Sequence, residues 1–262
     1  MPAQLPKSGN RIIDAHHQRL YDLIGRAAAL SRANAAGTEV AATAQQFLDL
    51  LVHHCRMESM IAAGAGFSGI PEHADRHREI LGQTGAMIAA LNGADNAERR
   101  FALVDHMEHI LYDHEILEDC RYWHTLRDLA GQVADGRQPA WAPSLSIGIE
   151  RLDQQHRRMI SLLAAAIARG REPDRIGEVG QLLEGFVALA HRHFRDEEAE
   201  LARTGHAVGH RRRLLDSLQE AAAAYRDRPD ILVTDYLPYW LLDHMRGPDR
   251  ADFVARSSIG TA

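Results

Sequence analysis

Polar–apolar alternation and β-branched runs are nearly absent from this sequence, which argues against a sheet-based fold from the outset. Cysteine is scarce, with two residues in 262, too few for a disulfide framework. No apolar run approaches the ~20 residues that a membrane-spanning helix needs. The opening residues, MPAQLPKSGNR, contain no apolar block of the kind a secretory leader carries. These absences together lead to the expectation of a soluble cytoplasmic protein with no membrane partner. Positive charge is not in excess either. The net charge is −6 and the one basic cluster is the short RRR of residues 211–213, so no nucleic-acid partner is expected.

What the chain does have is histidine, 16 residues in all, within an otherwise ordinary globular composition of 45% hydrophobic and 25% charged residues. Histidine is the commonest metal ligand among side chains. Apolar residues recur at helical spacing, with Ala and Leu dominant. The pattern predicts helices near 10–34, 40–64, 72–92 and 97–129, broken at Asn34–Gly37, Gly64–Pro71 and Asn92–Asn96. After a stretch rich in Gly and Pro, four more are predicted near 151–169, 174–204, 207–226 and 231–246. The expectation is therefore an all-α fold of two tandem antiparallel four-helix bundles. They would cover residues 1–130 and 149–262, with a linker over 131–148.

Internal repetition supports this division. RIIDAHHQRL, residues 11–20, answers ERLDQQHRRM, residues 150–159, so Asp14 and His17 correspond to Asp153 and His156 at an offset of 139. His54 and Glu58 correspond to His193 and Glu197 at the same offset. ILYDHEILED, residues 110–119, answers WLLDHMRGPD, residues 240–249, at an offset of 130, so the second copy is nine residues shorter.

In the first half the candidate polar residues recur in the repeat or fall one turn apart on a helix, where i and i+4 share a face. His17 lies on the first helix, His54 and Glu58 on the second, His73 and His77 on the third, and His114 and Asp119 on the fourth. A single bundle can aim all seven at one centre. Burying them unpaired would cost roughly 1–3 kcal/mol each, and more for the carboxylates; metal ions remove that cost. Five imidazoles and two carboxylates exceed the needs of one tetrahedral zinc. They suit two six-coordinate ions that share the carboxylates, and the mixed donor set favours iron or manganese over calcium or magnesium.

These motifs resemble those of hemerythrin, its bacterial form in particular. The family's IDxQH is matched by IDAHH (13–17) and LDQQH (152–156). Its HFxxEE is matched by HFRDEE (193–198) and more loosely by HCRMES (54–59). HxxxH is matched by His73 and His77, and WLxxHIxxxD by WLLDHMRGPD and ILYDHEILED. WAPSLSIGIE, residues 141–150, is similar to the family's W…VGI lead-in to the first helix. The resemblance implies a non-haem di-iron centre in each domain. In the first, His73, His77 and His114 would hold one iron, and His17 and His54 the other, which keeps an open position. Glu58 and Asp119 would bridge the two, with an oxo or hydroxo group between them. The family binds O2 reversibly at the open iron, as a peroxide-level ligand. A physical consideration points the same way. Carboxylate-rich di-iron sites tend to activate O2, whereas neutral imidazoles leave iron less electron-rich and favour binding without cleavage, subject to the groups around the ligands.

In the second half, His156, His193, Glu197, His244 and Asp249 match the same pattern. Two alignments of the third helix remain. Pairing His206 and His210 with His73 and His77 completes the ligand set, but leaves nine residues from Glu197 to His206 against fifteen from Glu58 to His73. Setting His210 against His73 and Leu214 against His77 keeps more of the loop and loses a histidine. The first alignment is preferred here because it alone completes the set. Gly205 and Gly209 weaken the start of such a helix.

The remaining histidines, His16, His53, His106, His109, His124 and His191, are read as surface residues or neighbours of ligands. Cys55 and Cys120 adjoin His54 and Asp119, and are read as small buried apolar residues, with a redox role beside the iron as the alternative. Trp240 lies one turn before His244 and is expected to pack around its pocket. No nucleophile constellation and no nucleotide-binding glycine motif is visible. The expected function is O2 binding, for carriage, storage or sensing, with O2 or a similar diatomic or peroxide as ligand. A di-iron peroxidase, oxidase or nitric oxide-handling enzyme is the alternative, and an iron store is the weakest reading.

Overall fold

The computed structural model describes residues 6–203, 211–247 and 249–254; His206 and His210 lie outside the described residues. The chain divides into two compact units, Met1–Arg127 and Asp128–Ala262. All regular structure among the described residues is helical, and no helix there is long and apolar enough to cross a membrane.

The first unit is built on α1 (Arg11–Arg32), α2 (Gly37–Ala65), α3 (Ile70–Asn92) and α4 (Ala97–Leu117). Each of the three links is four residues long, so consecutive helices run antiparallel. Helix α1 packs on α2 and α4, and α3 on α2 and α4, which closes a four-helix ring. Local chemistry sets the ends. Asn10 Oδ1 accepts from the backbone N–H groups of Ile12 and Ile13, and Asn96 Oδ1 accepts from Arg99 N–H at 2.8 Å. Both serve N–H groups that the helix itself leaves unpaired. Helix α2 stops at Gly66, whose φ of 92° is left-handed and costs glycine nothing. The middle of the bundle is a dry core containing Leu20, Tyr21, Ile24, Phe47, Leu51, Ile80, Leu91, Val104, Met107 and Leu111. Each such side chain contributes about 1.5–3 kcal/mol by leaving water.

The fourth helix does not run to residue 129 as its periodicity predicts. It ends at Leu117, a 3₁₀ turn covers Asp119–Arg121, and α5 (Trp123–Ala134) follows. The reason lies in spacing. Residues five apart on a straight α-helix diverge by about 140°, so His114 and Asp119 can face one centre only if the helix breaks between them. Helix α5 also extends into the stretch expected as linker.

In the second unit α6 (Glu150–Gly170) packs on α7 (Ile176–Arg203), and α7 on α8 (Arg211–Ala224). The last helix was expected as one piece over 231–246. It is instead a short α9 (Pro229–Ile231), a π-helical turn over Leu232–Tyr236, and α10 (Leu237–Arg246). Pro238 explains the widening, because its ring cannot sit against the carbonyl four residues earlier and it has no N–H to donate. The core here holds Leu152, Met159, Leu163, Phe186, Phe194, Tyr236 and Trp240. A second π-helical turn, Arg250–Val254, closes the described chain.

The acidic residue three positions before His17 in the first unit and before His156 in the second has a structural task. Asp14 Oδ1 accepts from both the N–H and the Oγ of Ser8, at 2.8 and 2.9 Å. Asp153 accepts from Ser146 Oγ at 2.5 Å and from Ile147 N–H at 3.0 Å. Each pins the segment leading into its helix.

Candidate metal centre

In the first unit the antiparallel order brings the start of α1, the end of α2, the start of α3 and the end of α4 to one end of the bundle. His17, His54, Glu58, His73, His77, His114 and Asp119 therefore converge, all 4% exposed or less. They form two groups. Glu58, His73, His77, His114 and Asp119 offer donor atoms all within 4.8 Å of one another, and so do His17, His54, Glu58 and Asp119. The two carboxylates belong to both.

Distances show how the donors face. Asp119 Oδ1 lies 2.9 Å from His73 Nε2 and 3.0 Å from His114 Nε2. Glu58 Oε2 lies 3.0 Å from His77 Nε2 and 3.5 Å from His54 Nε2. Most of these atoms nevertheless lack hydrogen-bond partners: both nitrogens of His17, His54 and His114, Nε2 of His77, Oε2 of Glu58 and Oδ2 of Asp119. Native proteins rarely leave so many buried polar atoms unsatisfied in one place. Lone pairs that converge without protons between them are what cations require, so these residues fit a pair of metal ions.

The electrostatics prepare the same outcome. Burial and the nearby Asp119 push the Glu58 carboxyl up, but His54 and His77 outweigh them and hold it down at about 2. Burial likewise opposes ionisation of Asp119, and His114 and His73 overcome it. Burial holds His54 well below its usual range, and His17 below its own. Both carboxylates are thus anionic and these imidazoles neutral, the forms in which they ligate metals.

Several residues of the site were not singled out by spacing. Tyr122, just past the 3₁₀ turn, donates its hydroxyl to Glu58 Oε1. Glu115 is fully buried with Oε1 3.7 Å from His17 Nδ1. Burial, reinforced by the charges of Asp119 and Glu58, pushes its carboxyl up to about 9. The ring of His16 is buried against His53 and His54, with centroids 5.3 and 5.8 Å away. Cys55 is buried, but Cys120 is exposed, which corrects the expectation that both are buried. His106, His109 and His124 are exposed.

The second unit brings together His156, His193, Glu197, His244 and Asp249, each buried, in one group whose donors lie within 4.8 Å of one another. Trp240 packs on His244 at 6.1 Å between ring centroids. A residue that spacing did not point to joins them. Arg211, the first residue of α8, is fully buried, and its Nε donates to Glu197 Oε2 at 2.6 Å.

Comparisons with known proteins agree with this geometry. The model of the hemerythrin HHE cation binding domain matches residues 8–122. A bacteriohemerythrin of Stenotrophomonas maltophilia (strain R551-3) is 32% identical over 120 residues, which span 42% of this chain and 76% of that protein. No solved structure is matched.

Proposed function

We propose, for a chain that belongs to the hemerythrin family, that its first unit holds two iron ions and binds O2 reversibly. The observation that carries this reading is the pair of overlapping donor groups, three histidines in one and two in the other, with Glu58 and Asp119 common to both. Counting the shared carboxylates, one ion would have five protein donors and the other four. The ion held by His17 and His54 is the one with room for a small ligand. Iron in that position supplies the electrons on which O2 binding depends.

The surrounding residues favour binding over turnover. Tyr122 draws electron density from Glu58 by donating to it. Glu115, neutral because burial pushes it up to about 9, adds no negative charge beside His17. Fewer anions around the iron oppose the cleavage of bound O2. Leu20 and Tyr21, one turn beyond His16 and His17 on α1, belong to the buried apolar core.

The test is an optical spectrum of the anaerobically reduced full chain, taken before air, in air and after re-evacuation. A visible band that appears in air and disappears under vacuum supports O2 binding. Continuous consumption of reductant in air, with no reversible band, would instead mark an enzyme on the same scaffold.

A further inference from the structure

We infer that the second unit carries a single-ion site, in which the guanidinium of Arg211 takes the place of a second metal ion. This rests on the reading of both clusters as metal centres, and it departs from the simple doubling that the sequence repeat suggests.

The donors of the second cluster surround one point. His193 Nε2 lies 3.0 Å from His156 Nε2 and 3.0 Å from His244 Nε2. Asp249 Oδ2 lies 3.0 Å from His156 Nε2 and 3.1 Å from His244 Nε2. Glu197 Oε1 lies 2.9 Å from His193 Nε2 and 3.5 Å from His244 Nε2. Ligand atoms about 2.1 Å from one ion at right angles stand about 3.0 Å apart. Three nitrogens and two oxygens thus have the mutual spacing of five ligands on one six-coordinate ion. In the first unit the corresponding His17 and His54 fall in one group and His114 in the other.

Glu197 divides its oxygens between this point and the arginine, and Asp249 turns its second oxygen to the same side at longer range. Glu197 Oε1 and Asp249 Oδ2 face the imidazoles. Glu197 Oε2 faces Arg211 Nε at 2.6 Å, and Asp249 Oδ1 faces Arg211 Nη2 at 3.8 Å. A carboxylate shared by two metals would divide its oxygens in the same way, one to each cation. Arg211 Nη1 is anchored in turn by Asp252 Oδ2 at 3.1 Å, from the closing π-helical turn. A guanidinium is always charged and is suited to carboxylates in buried places. Its one positive charge offsets that of Glu197, to which it donates at 2.6 Å, and it does so without redox chemistry. His193 is oriented by a contact of 3.0 Å between its Nδ1 and Gln155 Oε1, as ligating histidines commonly are. Imidazoles with carboxylates in a six-coordinate arrangement suit a divalent first-row ion such as Fe2+ or Mn2+.

The experiment titrates metal-depleted full chain with Fe2+ under argon and counts bound iron. The parent chain, Glu58→Ala, Asp249→Asn and the double variant are compared, with helix content checked by circular dichroism. Glu58→Ala should retain one ion per chain, and adding Asp249→Asn should reduce that to none. Asp249→Asn keeps the side-chain shape; His244→Gln serves as a second variant should it fail to fold. Two ions retained in Glu58→Ala would overturn the inference, and so would none. The di-iron reading of the first unit is tested separately, by whether Glu58→Ala lowers the count of the parent by two.

Discussion

The two buried donor clusters use the same residues from three helical positions and differ at the fourth. His17, His54, Glu58, His114 and Asp119 have counterparts in His156, His193, Glu197, His244 and Asp249, each buried as deeply. The first unit adds His73 and His77 from α3, and its donors separate into two groups. The second unit brings in Arg211 from α8, and its donors among the described residues gather into one group. On the single-ion inference, one helix decides whether the buried carboxylates would face a second metal or a fixed organic cation. A paired carboxylate needs a cation in either case, because leaving it bare in the interior is costly.

The largest expected effect comes from breaking the shared ligand of the first unit. Glu58→Ala should remove both of its irons while the second unit keeps its own, as counted by metal analysis. Part of the stability should go with the metal, because binding free energy at such sites is partly folding free energy. Retention of full iron and an unchanged spectrum would contradict the assignment.

Arg211→Ala should act on the other side of the comparison. Removing one partner of a buried ion pair costs about 3–5 kcal/mol, so the metal-free variant should unfold at markedly lower denaturant. Excess Fe2+ should recover part of that loss. Equal stability of variant and parent without metal would show that the guanidinium does not stabilise the Glu197 carboxylate.

Acid should destabilise the metal-free chain. Five buried imidazoles are depressed in the folded state, chiefly by burial, His156 to about 3 and His16 to about 4, with His17, His54 and His244 also lowered, whereas at His114 burial is overcome by Asp119, which raises it. The unfolded chain therefore binds more protons below about 6.5, and stability falls as pH drops from there toward 3. Glu115, raised to about 9 by burial, works in the opposite sense: above 4.5 the unfolded chain ionises this group while the folded chain does not. The several histidines outweigh it in the acid window. Urea midpoints at pH 7 and pH 5 should therefore show the lower value at pH 5, and the reverse order would contradict this charge assignment.

Tyr122→Phe removes a hydrogen bond to a charged group, worth about 1.5–3 kcal/mol. It should shift the optical spectrum of the first unit while leaving the iron count unchanged. The smallest effect is expected from His206→Ala and His210→Ala, which on the single-ion inference should leave the iron content as it is. A loss of metal in either variant would revive the fully doubled arrangement.

Much of this was legible in the sequence, because helices and ligands write themselves at the same spacing. His54 with Glu58 and His73 with His77 are one turn apart, and the repeat marked their counterparts on three helices. What escaped was whatever broke the helical period. Asp119 faces the site only through a break in α4 that no glycine or proline announces. Pro238 did carry its signal, but the apolar pattern around it read as one continuous helix. Arg211 was masked by its neighbours: in the RRR run Arg212 and Arg213 are exposed while Arg211 is fully buried. Composition reads such a run as surface charge, and only the position of α8 distinguishes its first member. Glu115 was hidden in the same way beside His114, because adjacent residues on a helix point in different directions.

The most direct measurement quantifies iron and electron spin together in the fully loaded, air-oxidised chain. Two ferric ions joined by shared ligands couple their spins and cancel, whereas an isolated ferric ion keeps its own. The account predicts three irons per chain and one uncoupled ferric spin, which disappears in Asp249→Asn and survives Glu58→Ala. Four irons per chain with no uncoupled spin would contradict it.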